Sequence, residues 1–145
     1  MLEHLIIPLE THTDDRGTLT VTDFDWQNVL PFKPHRAFWI NGVPDGGSRG
    51  VHANRTCCEC IIAVSGSFSV VVDDGLHKPE TFCMNSPSQA LLIPPYVWCE
   101  LSHFTADAVC LCFASGSYDR TDYIEDYQEF LQLAKAHNEA HTGDE

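Results

Sequence analysis

The sequence predicts an all-β fold, an antiparallel barrel or sandwich that is followed by a single C-terminal α-helix. Short segments of alternating or apolar residues, such as Arg36–Asn41 and Gln89–Ile93, recur along most of the chain. Gly, Pro and Asp separate them at close, regular intervals. Beyond residue 118 the apolar spacing changes to three and four residues. Many short strands with this punctuation are typical of antiparallel barrels and sandwiches.

The N-terminal third predicts three strands. Residues 5–9 form a short apolar strand that ends at a polar loop over residues 10–15. Residues 16–24 alternate apolar side chains with Thr, which favours a second strand. Residues 26–34 include two prolines and predict an irregular crossing to the third strand, Arg36–Asn41.

The middle of the chain predicts a hairpin and a series of short strands. The apolar run before Ser65 and the strand that begins at Phe68 are joined by Ser65-Gly66-Ser67, a tight turn, and Asp74-Gly75 turns the chain again. Four further strands are predicted at residues 81–84, 89–93, 97–101 and 108–114.

The tail predicts an amphipathic helix over residues 119–140. Tyr123, Tyr127, Phe130 and Ala134 recur at the spacing of one helical face, and Asp119 or Thr121 is the expected N-cap. We interpret this helix as a cover for the barrel. The expected organisation is a single domain, 1–145, with the β-barrel over 1–118.

Composition restricts the classes of partner. The chain of 145 residues is long enough for one core, and 43% hydrophobic and 20% charged residues are typical of a soluble domain. A net charge of -13 with only eight Lys and Arg argues against nucleic acid. An anionic ligand would need individual arginines, and the candidates are Arg16, Arg36, Arg49 and Arg55. No targeting or membrane-spanning segment is recognised, so we expect a cytoplasmic protein without a membrane contact.

The seven cysteines predict buried thiols. Cys58, Cys60, Cys110 and Cys112 lie in apolar runs at strand spacing, which favours small core residues over a structural zinc site. Disulfides are not expected in a cytosolic protein.

One polar motif stands out in this pattern. It consists of Gly46, His52, Asn54, Glu59 and Gly66, and its spacing resembles the first cupin motif with Asn54 at the second His position. Alternate residues of a strand share a face, so His52, Asn54 and Thr56 are expected to point together into the barrel. Glu59 lies at an odd offset from His52, so we expect it to face outward unless a bulge restores its parity.

A second cupin motif is much weaker. Residues 94–99 keep Pro94, but Tyr96 replaces the motif's Gly and Cys99 its last His. The cupin resemblance therefore implies a cupin-like jelly-roll barrel, and we expect neither a metal site nor a cofactor.

Several segments together resemble the sugar 3,4-ketoisomerases that act on thymidine-diphosphate-linked 4-keto-6-deoxyglucose. They are residues 15–19, 36–40, 49–53, 72–75, 94–98 and 114–124, with Tyr127 and Phe130. The resemblance covers nearly the whole chain in order. It implies a metal-free jelly-roll enzyme, a homodimer with exchanged N-terminal strands, and a dTDP-linked substrate. It also implies a role in deoxysugar biosynthesis, for lipopolysaccharide or S-layer glycans.

The family reaction moves a carbonyl from C4 to C3, which requires a base near neutrality and stabilisation of an enediolate. The family carries two histidines as Arg-Gly-x-His-x-His, and the resemblance assigns the base to His52 and the second position to Asn54. A third family histidine corresponds to Cys99. Asn54 is a hydrogen-bond donor to an oxyanion or an orienting group, or has no role. Cys99 is either a titrating thiol or a small core residue.

Four residues are candidates for substrate binding. Arg49 and Arg16 suit a diphosphate, although either also fits a surface ion pair. Tyr96 and Trp98 are candidates to wall the sugar or the base, or are core aromatics.

Two other functions remain open from the sequence. One is a non-catalytic nucleotide-sugar-binding cupin that has lost proton transfer. The other is a metal cupin that uses His52, Glu59 and Cys99, with Asn54 as a poor ligand.

Overall fold

The computed structural model describes residues 2–23 and 30–142 and contains twelve strands and one α-helix. The strands are β1 (Ile6–Pro8), β2 (Glu10–Asp14), β3 (Gly17–Val21), β4 (Arg36–Asn41), β5 (Arg49–Asn54), β6 (Glu59–Ser65), β7 (Phe68–Asp73), β8 (Glu80–Met84), β9 (Gln89–Ile93), β10 (Trp98–Ser102), β11 (Val109–Ala114) and β12 (Tyr123–Ile124). The helix, α1, spans Tyr127–Thr142, and short 3₁₀ helices lie at Glu3–Leu5 and Arg120–Asp122.

The strands form two five-stranded antiparallel sheets and a separate hairpin. The first sheet has the order β1-β9-β6-β11-β4, the second the order β12-β5-β10-β7-β8, and β2 pairs only with β3. Neighbours in each sheet are mostly distant in sequence, as in a jelly roll. The all-β jelly-roll prediction is therefore confirmed.

The main core lies between the two large sheets. The first sheet contributes Ile61 and Leu91, and the second contributes Val70, Val72 and Leu101, all nearly inaccessible to solvent. Burial of one such aliphatic side chain contributes roughly 1.5–3 kcal/mol. The period-two burial of β7 and β11 follows from this packing, because only one face of each strand points inward.

Helix α1 packs on the outer face of the second sheet. Its Phe130 and Ala134 are buried against Trp98 and Ile124, which agrees with a covering helix. The side chain of Asp126 accepts hydrogen bonds from the amides of the second and third helical residues at 2.8 and 3.0 Å. None of the helices among the described residues is both long and apolar enough to cross a membrane.

Several strand bounds shift by one or two residues, and two sequence-based assignments differ more from the structure. The helix begins at Tyr127 instead of residue 119, because Asp119 caps a 3₁₀ turn and Tyr123–Ile124 pairs with β5 as β12. Residues 10–15 were expected to be a loop, but Glu10–Asp14 forms β2, since its polar side chains alternate on an exposed hairpin. The predicted irregular crossing at 26–34 lies partly outside the described residues.

Candidate active site

A cavity of about 120 Å³ opens between the two sheets and has several polar side chains in its lining. Its polar lining comes from Arg49, His52, Glu59 and Tyr123. The remaining wall is apolar and includes Phe38, Ile40, Ile61, Cys99, Leu101, Cys110 and Cys112. A few polar groups in an otherwise apolar concave site are the usual composition of a small-molecule pocket.

A bulge in β5 determines how His52 enters this cavity. Cys99 pairs with His52, but the next residue, Glu100, pairs with Gly50, so Val51 is the extra residue. Val51 has a φ of 52°, a left-handed conformation that is rare for a β-branched side chain. Gly50 also has a positive φ, and a Cβ there would lie 3.1 Å from the Leu101 side chain. The Arg-Gly-Val sequence thus forms a strained approach to His52, and such strain is common at functional sites.

The imidazole of His52 is held in one tautomer by the main chain. Its Nδ1 lies 2.7 Å from the carbonyl oxygen of Gly50. A carbonyl oxygen only accepts, so Nδ1 carries the proton and donates it. In the neutral ring Nε2 then keeps its lone pair, which is the arrangement that a general base requires.

Tyr123 stacks on His52, with ring centroids 4.2 Å apart and an angle of 19° between the planes. Burial, together with the nearby Glu59 carboxylate, raises the pKa of the Tyr123 hydroxyl, and the Arg36 guanidinium partly opposes this shift. The hydroxyl therefore keeps its proton at neutral pH and can donate a hydrogen bond into the cavity.

The turn between β5 and β6 is tied to the chain around Tyr123. Asp122 accepts hydrogen bonds from the amides of Thr56 and Cys57 at 2.9 and 3.0 Å. Arg55 donates to the carbonyl of Tyr123 at 2.7 Å and forms an ion pair with Glu129 of α1 at 3.3 Å. These contacts position the stacking ring of Tyr123 and the start of β6 together.

Glu59 faces the cavity, which corrects the expectation of an outward carboxylate. It is 7% exposed and accepts hydrogen bonds from Asn54 Nδ2 at 3.2 Å and Cys112 Sγ at 3.7 Å. The parity argument failed because Glu59 begins a different strand, β6, after a turn. Its facing direction is therefore unrelated to the alternation of β5.

Asn54 lies behind Glu59 and does not line the cavity. Its side chain is 2% exposed, and its Oδ1 has no hydrogen-bond partner among the described residues. Asn54 affects the cavity only indirectly, through its hydrogen bond to the Glu59 carboxylate. Thr56 does not share the inward face as predicted, because β5 ends at Asn54 and the Thr56 hydroxyl bonds to Asp122 at 2.7 Å.

Cys99 forms part of the cavity wall as a neutral thiol. It is buried, and burial followed by the charge of Glu59 raises its pKa well above the ordinary value of a thiol. This environment favours the small-core interpretation over a titrating group. Within the described residues no group of three or more His, Cys, Asp or Glu is placed to hold a metal ion, although His52, Glu59 and Cys99 share the cavity.

Tyr96 and Trp98 lie away from the cavity, so neither walls it as expected from the sequence. Tyr96 stacks on His137 of α1 at 4.2 Å, and Trp98 packs against Tyr127 and Phe130. The physical reason is the alternation of β10, which points Trp98 toward the helix and Cys99 toward the cavity.

Only one of the two arginines predicted to bind substrate lies at this cavity. Arg49 lines its exposed rim, and among residues 2–23 and 30–142 its side chain has no hydrogen-bond or ion-pair partner. Arg16 lies on the β2–β3 hairpin, where its 86% exposed side chain pairs with Asp14 at 2.6 Å.

Of the cavity residues, Tyr123 was missed as a functional candidate, and Glu59 was considered only as an outward carboxylate or a metal ligand. Tyr123 falls inside the quoted family segment 114–124, but its three- and four-residue spacing to later aromatics assigned it to the helix. Glu59 was recognised in the motif, and the turn residues Arg55–Cys58 were the available signal that a new strand starts there.

Residues 3–135 match the model of the family described as "FdtA: WxcM-like, C-terminal". The chain is 32% identical over 129 residues to TDP-4-oxo-6-deoxy-alpha-D-glucose-3,4-oxoisomerase of Aneurinibacillus thermoaerophilus, covering 89% of this chain and 91% of that protein.

Solved structures agree with this match. A double mutant of the QdtA 3,4-ketoisomerase from Thermoanaerobacterium thermosaccharolyticum in complex with TDP superposes with a TM-score of 0.86 at 31% identity, over 91% of this chain and 94% of that one. A single mutant of the same enzyme, in complex with TDP-4-keto-6-deoxyglucose, gives 0.84 at 30% identity over 90% and 93%.

Proposed function

Because the chain belongs to the FdtA family, we propose that it is a sugar nucleotide isomerase that moves the keto group of dTDP-4-keto-6-deoxy-D-glucose from C4 to C3. The observation that carries this proposal is the His52 imidazole in the cavity, with Nδ1 bound to a carbonyl and Nε2 left basic. The relatives with solved structures are catalysts, which favours the isomerase over a non-catalytic nucleotide-sugar-binding cupin.

The proposed reaction begins with proton abstraction at C3. His52 Nε2 takes the C3 hydrogen as the electrons of that bond form C3=C4 and the C4 carbonyl becomes an oxyanion. We assign donation to this oxyanion to the Tyr123 hydroxyl, which lines the same cavity and is kept protonated by its surroundings. Return of the proton from His52 to C4 and transfer of the O3 proton to the O4 oxyanion then produce the 3-keto sugar. No metal is required in this scheme.

Arg49 is proposed to bind the diphosphate. Its guanidinium stands at the exposed rim of the cavity without another partner among the described residues. A guanidinium donates paired hydrogen bonds to phosphate oxygens, so Arg49 would hold the nucleotide outside while the sugar enters.

A homodimer with exchanged N-terminal strands is also proposed. The β2–β3 hairpin belongs to neither large sheet and exposes Leu19 to 62%. At the edge of the first sheet, β4 exposes Trp39 to 65%. An isolated hairpin is marginally stable, and its addition to an open sheet edge of a partner would cover both surfaces. Arg16 would contact substrate only across such an interface.

The seven cysteines are all free thiols, which suits the reducing cytoplasm.

The place in metabolism follows from the proposed substrate. We propose that the product enters deoxysugar biosynthesis for a surface glycan, such as lipopolysaccharide or an S-layer glycan.

Turnover in heavy water tests the activity directly. The purified protein is incubated with dTDP-4-keto-6-deoxyglucose, and NMR follows deuterium at C3 and C4 and the appearance of a 3-keto sugar. The proposal expects both signals, and free thymidine diphosphate should inhibit them. Tight nucleotide binding without exchange would instead support the non-catalytic alternative.

A further inference from the structure

We infer that Glu59 is the second proton-transfer group of the cavity, carrying a proton between the two sugar oxygens while His52 carries one between the two carbons. This inference rests on the proposed isomerase function. It assigns to Glu59 the part for which the resemblance expects a second histidine at position 54.

The geometry places Glu59 where such a group is needed. Its carboxylate lines the same cavity of about 120 Å³ as the His52 ring, and only 7% of the residue is exposed. In a space of this size a ketose that contacts one side chain lies within reach of the other. Its contacts, Asn54 and Cys112, are neutral donors, and no Lys, Arg or His among the described residues forms an ion pair with it.

Asn54 orients this carboxylate. The amide Nδ2 donates to Oε1 at 3.2 Å, and an amide cannot exchange protons with substrate. Asn54 is therefore a positioning residue: it fixes one carboxylate oxygen of Glu59, and the Glu59 side chain faces the cavity. Asn54, which stands where the resemblance expects a histidine, and Glu59 therefore act together: the amide holds the carboxylate that faces the cavity.

The negative charge of Glu59 also changes the pKa of several neighbouring groups. Together with burial, its carboxylate raises the pKa of Tyr123, Cys99, Cys110 and Cys112. Cys110 reaches about 12. These groups thus stay protonated and cannot accept a proton from the sugar, whereas the imidazole of His52 and the carboxylate of Glu59 offer acceptor atoms in the same cavity.

The proton balance closes with two shuttles. His52 Nε2 removes hydrogen from C3 as C3=C4 forms, and O4 becomes an oxyanion. The Glu59 carboxylate then takes the proton from O3 and gives it to O4, and His52 returns its proton to C4 as C3=O forms. Both side chains end in their starting states, and no further reactant is needed.

The test separates carbon exchange from isomerisation in Glu59→Gln. An amide at this position can donate to O4 but cannot accept the O3 proton. We expect isomerisation to fall by about 10²- to 10⁴-fold and C3 deuterium exchange by less than about tenfold. The matched control is Glu100→Gln, a carboxylate on the helix side of β10 bonded to Trp98, which should leave both rates unchanged.

A conservative variant makes the inference sharper. Glu59→Asp keeps a carboxylate at this position, and its isomerisation should be at least about tenfold faster than that of Glu59→Gln. Equal loss of exchange and isomerisation in Glu59→Gln without recovery in Glu59→Asp, or an unimpaired Glu59→Gln, would overturn the inference.

Two outcomes remain distinguishable. A wild-type protein that neither exchanges nor isomerises rejects the proposed function itself. Should Glu59→Gln not fold, the wild-type pH dependence decides: isomerisation is expected to depend on one more ionisation than C3 exchange. An identical pH profile for both processes would contradict the role of Glu59.

Discussion

The two faces of strand β10 have different environments, and adjacent residues of the strand point to opposite faces. Cys99 points inward to the cavity that contains His52, Glu59 and Tyr123. Trp98 points outward and packs under helix α1 against Phe130. The inner face leaves polar groups around an open space, whereas the outer face is filled with aromatic side chains.

This difference separates catalysis from stability within one sheet. Changes to the polar side chains of the cavity face should alter turnover with little effect on unfolding, since space already surrounds those side chains. Changes on the helix face should alter unfolding with little effect on turnover, because none of its described side chains, such as Trp98 and Phe130, lines the cavity. The substitutions at His52, Phe130 and Trp98 test that separation.

The largest expected effect is on the cavity face, from His52→Asn. This change removes the base while keeping a polar side chain that can bond to the Gly50 carbonyl. Isomerisation should fall by about 10²- to 10⁴-fold, while the melting temperature changes little. NMR turnover assays and thermal unfolding check the two parts. Residual turnover near the wild-type rate would assign the base to another group.

On the helix face, Phe130→Ala should be the most damaging substitution. Phe130 is fully buried against Trp98 and Tyr127, so its loss leaves a cavity and should cost about 3–5 kcal/mol of unfolding free energy. Denaturant titration measures this cost, with the half-buried Leu131→Ala as a milder control. A large change in turnover per folded molecule would show that the faces are coupled.

Alkaline pH should destabilise the protein through its buried thiols. Burial raises the pKa of Cys110 to about 12, above its value in the unfolded chain. The native state therefore holds this proton more tightly, and the resulting stability is present below pH 9 and is lost as pH rises toward 12. At pH 10 the loss should be about 1 kcal/mol.

Denaturant titrations between pH 8 and 10 measure this slope. Cys110→Ala should reduce it by the contribution of one thiol, at the cost of a lower stability at neutral pH, because Cys58, Cys60, Cys99 and Cys112 also have raised pKa values. The exposed Cys83 gives a control, since Cys83→Ala should leave the slope as it is.

The smallest expected effect is that of Trp98→Phe. Phenylalanine keeps most of the packing but loses the hydrogen bond from Nε1 to Glu100 Oε1 at 3.2 Å. We expect about 1 kcal/mol lower stability and an unchanged KM for the nucleotide sugar. A raised KM would instead support the substrate contact that was predicted for Trp98 from the sequence.

Strand positions were predictable because their signals are local. Arg36–Asn41 and Gln89–Ile93 were placed with the correct bounds, since period-two patterning and turn residues need no knowledge of distant partners. The helix start was misplaced for the opposite reason. Tyr123 fits the helical spacing, but its backbone pairs with Asn54 across the chain, and only that contact makes it a strand residue.

The sequence by itself determined an all-β chain with a covering helix, a family resemblance along nearly its full length, and His52 as the candidate base. Tertiary structure alone decided which neighbours face that base. The inward turn of Glu59 depends on the break between β5 and β6, and the stacking of Tyr123 depends on contacts from Arg55 and Asp122. Alternation along a strand sets relative directions within that strand, whereas the direction of the next strand is set by packing and hydrogen bonds that join residues far apart in sequence.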